Sequence, residues 1–366
     1  MIILKKGFEV SKFGFFASIV VATLGIATFS YPSELSTQVG TDGWLIVLLG
    51  GILSYICIVI IIKLIEVNNW NDFPTILIDN YGKIVGAFLS LIFVLYCILS
   101  MAIGIRTFTE VLKMYLLEKT PTEFLFVVTL FTGVYIIRGG IDTLISFNEI
   151  AFWIMLIPIV FVLLLLTNNA DFTNIFPIIS NKPIDYIRNL PTSIYIFKGF
   201  EIMFLIIPFM KNKSKARKVA FFSIAFITLF YIIIFIFVIA VLTKYQSTIL
   251  LWPTITMIKS IDIPGSFIER WDGIVMTMWI LFYYTTFVNT FYFSSDIVKN
   301  VFNFKSIKSS YIFILPLIYL TALYPQNLIE LNDIRGFFYQ SYTMLMIAVI
   351  PLATLIKSLL TKAGEK

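Results

Sequence analysis

The chain has 366 residues, 59% of them hydrophobic and only 13% charged, about half the charged share of a soluble domain. Its net charge of +6 comes from basic residues clustered at the ends of apolar runs rather than along one face, which excludes a nucleic-acid surface and reads as membrane orientation. Histidine is absent, which removes the usual general base and the commonest metal ligand, so no enzyme activity, metal or cofactor is expected. At the N-terminus, Lys5 and Lys6 precede an apolar stretch that is too long for a signal peptide and lacks a small-residue cleavage site, so it is read as a retained first helix. Apolar length, flanking charge and Gly/Pro punctuation place spans near residues 13–36, 43–63, 83–105, 122–139 and 143–167. A second set follows near 190–210, 217–243, 271–297, 309–325 and 337–360. Cys57 and Cys97 fall inside spans, where a thiol acts as a small apolar group rather than as half of a disulfide. Segments 64–81 and 245–270 read as short amphipathic pieces at the two membrane surfaces.

The connections carry seventeen basic residues on the side of the N-terminus and nine on the other, with Lys198 inside a span. That excess puts both termini in the cytoplasm. Spans one and six, matched at Pro32 and Pro208, lie 176 residues apart, and spans two and seven start at nearly the same offset. The odd number of helices in each half reverses direction between them. The expectation is an all-α integral membrane protein of about ten transmembrane helices with a LeuT-like 5+5 inverted repeat, its halves near 13–167 and 190–360 of a single permease-like domain over 1–366.

Spans one and six are the interrupted ones. Residues 25–32 read Gly-Ile-Ala-Thr-Phe-Ser-Tyr-Pro, and residues 198–201 read Lys-Gly-Phe-Glu ahead of Pro208. Glycine relaxes the backbone, and each proline removes the amide that would bond the carbonyl four residues earlier, leaving those of Thr28 and Phe204. In a bilayer freed backbone groups are tolerated beside a polar cavity or a protein partner. Half-helix N-termini attract a carboxylate and exposed carbonyls an ammonium, so a small zwitterion such as an amino acid suits such a site. Taken singly the breaks are packing kinks; at corresponding positions of two halves they point to a transporter-type site.

The candidate ligand-binding residues are therefore Gly25, Ile26 and Thr28 in span one and Gly199, Phe200 and Glu201 in span six. Thr285 and Thr286 in the polar stretch of span eight line the cavity or bond a neighbouring helix, and Tyr96 in span three lines it or packs. Lys198 and Glu201, three residues apart, either neutralise each other on one helical face or serve the ligand or a proton. Glu149 in span five is a further coupling or ion-pair candidate.

Several of these stretches carry a resemblance. Residues 25–33 followed by Asp42-Gly43-Trp44, the run 135–142 (Tyr-Ile-Ile-Arg-Gly-Gly-Ile-Asp) continuing to Phe147-Asn148-Glu149, Gly199-Phe200-Glu201 with Pro208, and residues 267–272 (Phe-Ile-Glu-Arg-Trp-Asp) occur in this order over nearly the whole chain. In this the chain resembles the B subunit of bacterial spore germination receptors, a branch of the amino acid permease superfamily. The resemblance implies a LeuT-like bundle in the bilayer of the spore inner membrane and partnership with receptor A and C subunits. It further implies sensing of a nutrient, commonly an amino acid, near Gly25 and the span-six break. The alternative reading is a proton-coupled amino acid permease.

Overall fold

The structure, a computed structural model, describes residues 9–25, 27–261 and 271–364. Ile26 and the 267–270 part of the last motif lie outside the described residues. The first span is α1 (Lys12–Thr23) and α2 (Ala27–Val39), and the second is α3 (Gly43–Val67). A short α4 (Phe73–Tyr81) leads into α5 (Lys83–Tyr115), α6 (Thr122–Ile137) and α7 (Ile141–Leu166). The second set opens with α8 (Pro183–Ile196) and continues, after a break, through α9 (Met203–Ile206) and the 3-10 turn Ile207–Phe209. Then come α10 (Ala216–Ile249), α11 (Pro253–Lys259), α12 (Trp271–Val301), α13 (Ile307–Leu323), α14 (Leu328–Phe338) and α15 (Ile350–Gly364). A helix thus stands over each expected span.

Among the described residues, five helical stretches can cross a membrane by length and composition, and the pair Pro183–Ile196 and Phe200–Phe209, bent by 53°, makes a sixth. Lys12–Thr23, Thr122–Ile137 and Ile307–Leu323 are shorter apolar helices. Phe88, Phe131, Ile157 and Leu320 each expose more than half of their surface. In water such outward apolar faces would drive aggregation; in hydrocarbon they are the solvent-facing side. The chain is a multi-pass membrane protein.

Some polar side chains inside the bundle are paired across helices. Asn148 of α7 and Asn289 of α12 bond reciprocally, at 2.8 and 2.9 Å, and Asn148 also donates to Ser18 of α1 at 3.0 Å. All three are buried, and an unpaired amide there would cost the full desolvation of the group. At the end expected to be outside, the Asp42 carboxylate accepts from the Ile179 and Ser180 amides at 2.6 and 2.8 Å and from Asn181 Nδ2 and the Tyr186 hydroxyl at 2.7 and 2.9 Å. This pins the connection before α8 onto the start of α3, which gives the aspartate of the Asp-Gly-Trp motif a structural task. The α4 segment departs from the expectation of a surface piece: its Phe73, Ile76 and Leu77 are buried within the bundle. The outer loop supplies α11, of which Pro253, Ile255, Met257 and Ile258 are likewise buried.

Candidate functional site

The two breaks lie against each other. α1 stops at Thr23, so its last carbonyls have no amide ahead of them in the helix. Each finds a hydroxyl from another span. Thr285 donates to the Val21 carbonyl at 2.9 Å, Thr286 to the Ala22 carbonyl at 3.0 Å, and the Tyr231 hydroxyl of α10 lies 3.1 Å from the Thr23 carbonyl. The same Tyr231 hydroxyl is 3.2 Å from the Ile196 carbonyl at the end of α8, so one side chain serves both breaks. On the far side of the first break, the Thr28 carbonyl that Pro32 leaves unbonded accepts from Thr254 of α11 at 3.0 Å. Thus the carbonyls of Val21, Ala22, Thr23 and Thr28 each have a protein hydroxyl within hydrogen-bond distance.

The second break turns on Gly199. Its φ of +122° is a conformation that side chains rarely adopt, and a Cβ there would sit 2.3 Å from the Ala22 carbonyl oxygen. Only glycine lets span six cross the end of α1 this closely. The turn also separates the two charges beside it. Glu201 is buried and folds back to accept from the Gly199 amide at 2.7 Å. Lys198 instead donates to Ser100 of α5 and lies 3.3 Å from the Tyr339 hydroxyl, with its ammonium 4.5 Å from the centre of that ring. Of the two readings open for Lys198 and Glu201, direct i,i+3 pairing is not made, because the helix that would align them is interrupted between them.

Beside the breaks lies a cavity of about 70 Å³, room for roughly five water-sized spheres. Gly25, Lys198 and Thr286 line it, together with Thr23, Ser100, Thr107, Tyr195, Tyr283, Thr290, Arg335 and Tyr339. A Cβ on Gly25 would meet Thr286 Oγ1 at 2.7 Å, so the bare backbone there keeps the cavity open. Tyr195 and Tyr339 stack with ring centres 4.6 Å apart, and Arg335 is bonded to Glu34 of α2 at 2.9 Å. Tyr339 begins a widened turn, Tyr339–Thr343, of the π type, a distortion frequent at functional sites.

Of the remaining candidates, Thr285, Phe200 and Glu201 are buried in the packing around the breaks and do not line this cavity. Thr28 borders a separate apolar cleft with Phe29, Pro158 and Phe282. Tyr96 is buried on α5, stacked on Phe338. Glu149 stands apart at the start of α1, accepting from Ser11 at 3.1 Å. Sequence reasoning missed Ser100, Tyr195, Arg335 and Tyr339, whereas Tyr283 belongs to the polar stretch of span eight whose hydroxyls it offered to the cavity. Arg335 falls between the expected spans 309–325 and 337–360 and so reads from sequence as part of a connection.

Comparison with known proteins places these features in a group. Residues 9–331 match a family model described as "Spore germination protein". Spore germination protein YndE of Bacillus subtilis (strain 168) is 29% identical over 346 residues, covering 94% of each chain. Spore germination protein B2 of the same organism is 25% identical, covering 90% of this chain and 89% of its own. Spore germination protein GerQB of Bacillus cereus is 27% identical over 75% of both. Among solved structures, a Na+-coupled sialic acid symporter in a substrate-bound outward-open state superposes with a TM-score of 0.68 at 16% identity, over 94% of this chain and 80% of its own. Mhp1, a nucleobase-cation-symport-1 family transporter in a closed conformation, gives 0.67 at 13% identity, over 93% and 78%. At such identities the likeness shows the fold, which is all-α and LeuT-like.

Proposed function

This chain belongs to the spore germination protein family, and on that premise we propose that it is the nutrient-sensing subunit of a germination receptor. It binds a small amino acid in the cavity between the broken spans and passes the signal to receptor A and C subunits in the spore inner membrane, with both termini cytoplasmic. The observation that carries this reading is the small polar cavity where spans one and six are both interrupted, walled by Gly25, Lys198 and Thr286. Its volume suits an amino acid of the smaller kind and leaves little room for a sugar or a dipeptide. A ligand shifts a two-state bundle only by its differential affinity for the two states; about 3 kcal/mol, or about 150-fold, makes an effective switch.

A second reading, a proton-coupled amino acid permease, draws on the fold shared with two symporters. The two are separated by flux and by germination. Spores lacking the subunit are expected to lose the response to its nutrient while still germinating with exogenous dipicolinate. Accumulation of an amino acid by the subunit alone in liposomes, together with normal germination of the deleted spores, would replace the sensor with the permease.

A further inference from the structure

The cavity contains an unequal set of charges. Among the described residues its wall holds two cations, Lys198 and Arg335, and no Asp or Glu. Arg335 is neutralised by Glu34 at 2.9 Å. For Lys198, among the described residues, the partners are the neutral hydroxyls of Ser100 and Tyr339 and the face of the Tyr339 ring. The nearest carboxylate in sequence, Glu201, is held by the Gly199 amide instead. Glu201 acts on Lys198 through space but makes no direct ion pair with it, and an ammonium inside a bilayer whose direct contacts are all neutral is costly and is kept where an anion completes the site.

We propose that Lys198 is the anchor for the carboxylate of the ligand, which makes the ligand an amino acid recognised through its acid group rather than an amine, a polyamine or a neutral nutrient. This rests on the cavity being the nutrient site. The other pole of such a ligand also has partners. Thr23 Oγ1 and the Tyr283 hydroxyl border the same cavity, are buried, and have no hydrogen-bond partner among the described residues. Both are able to accept from an ammonium. The α1 carbonyls, which sequence alone offered to that group, are taken by Thr285, Thr286 and Tyr231. A bound zwitterion would place its carboxylate on Lys198 and its ammonium toward Thr23 and Tyr283, turning its side chain to Met101 and Phe287 of the wall.

The test uses the full-length subunit in nanodiscs and a panel of L-amino acids, each paired with the amine that lacks its carboxylate, such as L-alanine with ethylamine and L-valine with isobutylamine. At least one amino acid is expected to bind, its paired amine is not, and Lys198→Met is expected to weaken binding roughly thirtyfold or more, with Lys198→Arg recovering part of the loss. Ligand-free thermal unfolding reports whether each variant is folded, and the amine comparison on the unaltered protein decides the matter if Lys198→Met is not. An amine that binds as tightly as its amino acid, or amino acid binding unchanged in folded Lys198→Met, overturns the carboxylate anchor while leaving the nutrient site standing. If the unaltered subunit binds no member of the panel, the amino acid reading itself fails and the anchor with it.

Discussion

Tyr231 lies in the largely apolar middle of α10, yet it stands within hydrogen-bond distance of Thr23 and Ile196, the last carbonyls before each break. It carries a single proton for two acceptors, so it holds both helix ends in one place rather than saturating either. Its own backbone carbonyl accepts from the Tyr31 hydroxyl at 2.5 Å, which ties α2 to the same point. Tyr231→Phe keeps the ring and removes only the donor, leaving two buried carbonyls without it. A destabilisation of about 1–3 kcal/mol follows from one unsatisfied buried group, and ligand affinity is expected to fall as well because the two breaks lose their common tether. Thermal unfolding and binding of the same variant check this; the Thr23 carbonyl keeps the Gly25 amide at 2.9 Å, so a stability equal to that of the unaltered protein would mean that the Ile196 carbonyl finds another donor.

At the scale of elements, the two glycines of the breaks do different work. Gly199 holds a φ of +122° with the Ala22 carbonyl oxygen 2.3 Å from where a Cβ would stand. A backbone oxygen cannot swing aside, so Gly199→Ala strains the turn by at least ~1–2 kcal/mol and forces span six off α1. Gly25 would meet only Thr286 Oγ1, at 2.7 Å, a hydroxyl able to rotate at the loss of one hydrogen bond, about 1 kcal/mol. Gly25→Leu is therefore expected to remain folded but to lose ligand binding by filling the cavity, whereas Gly199→Ala is expected to lower the unfolding temperature. Equal loss of folded protein in both variants would contradict that division. How much the sequence disclosed follows the same line. Gly25, Lys198 and the span-six break were legible because glycine, charge and proline are anomalous inside apolar runs. Sequence left open whether Lys198 pairs with Glu201 because the i,i+3 rule assumes a continuous helix, and the positive φ of Gly199 that interrupts it is a conformation, not a composition. Tyr195, Ser100 and Tyr339 were not legible, since a tyrosine or serine in a span carries no mark of which neighbour it faces.

For the molecule as a whole, the cavity is a chamber with two different closures. Toward the end expected outside, Glu34 of α2 and Arg335 of α14 meet at 2.9 Å above the stacked Tyr195 and Tyr339. Toward the other end, Phe73 of α4, Phe93 of α5, Phe204 of α9 and Phe293 of α12 pack with ring centres 4.5–6.2 Å apart. Beyond these rings lies a larger polar vestibule bordered by Asp72, Asp296 and Asn300. The ion pair is largely but not fully shielded, with its side chains 17% and 26% exposed, so opening it costs more than a surface pair and less than a fully buried one, about 1–3 kcal/mol. Separating four buried phenylalanines is costlier, since truncating even one of them removes about 3–5 kcal/mol. The cheaper door is the ion pair, and a receptor that samples nutrient from one side needs no other. Arg335→Gln is thus expected to speed ligand release several-fold to tenfold or more, while the reversed pair Glu34→Arg with Arg335→Glu restores slow release. Phe73→Ala is expected to lower stability yet leave the release rate near that of the unaltered subunit. Stopped-flow release of a bound fluorescent or radiolabelled amino acid reads all three variants. If Phe73→Ala accelerates release and Arg335→Gln does not, the ligand leaves through the aromatic closure, and a path across the membrane, as a permease requires, takes the place of a one-sided receptor.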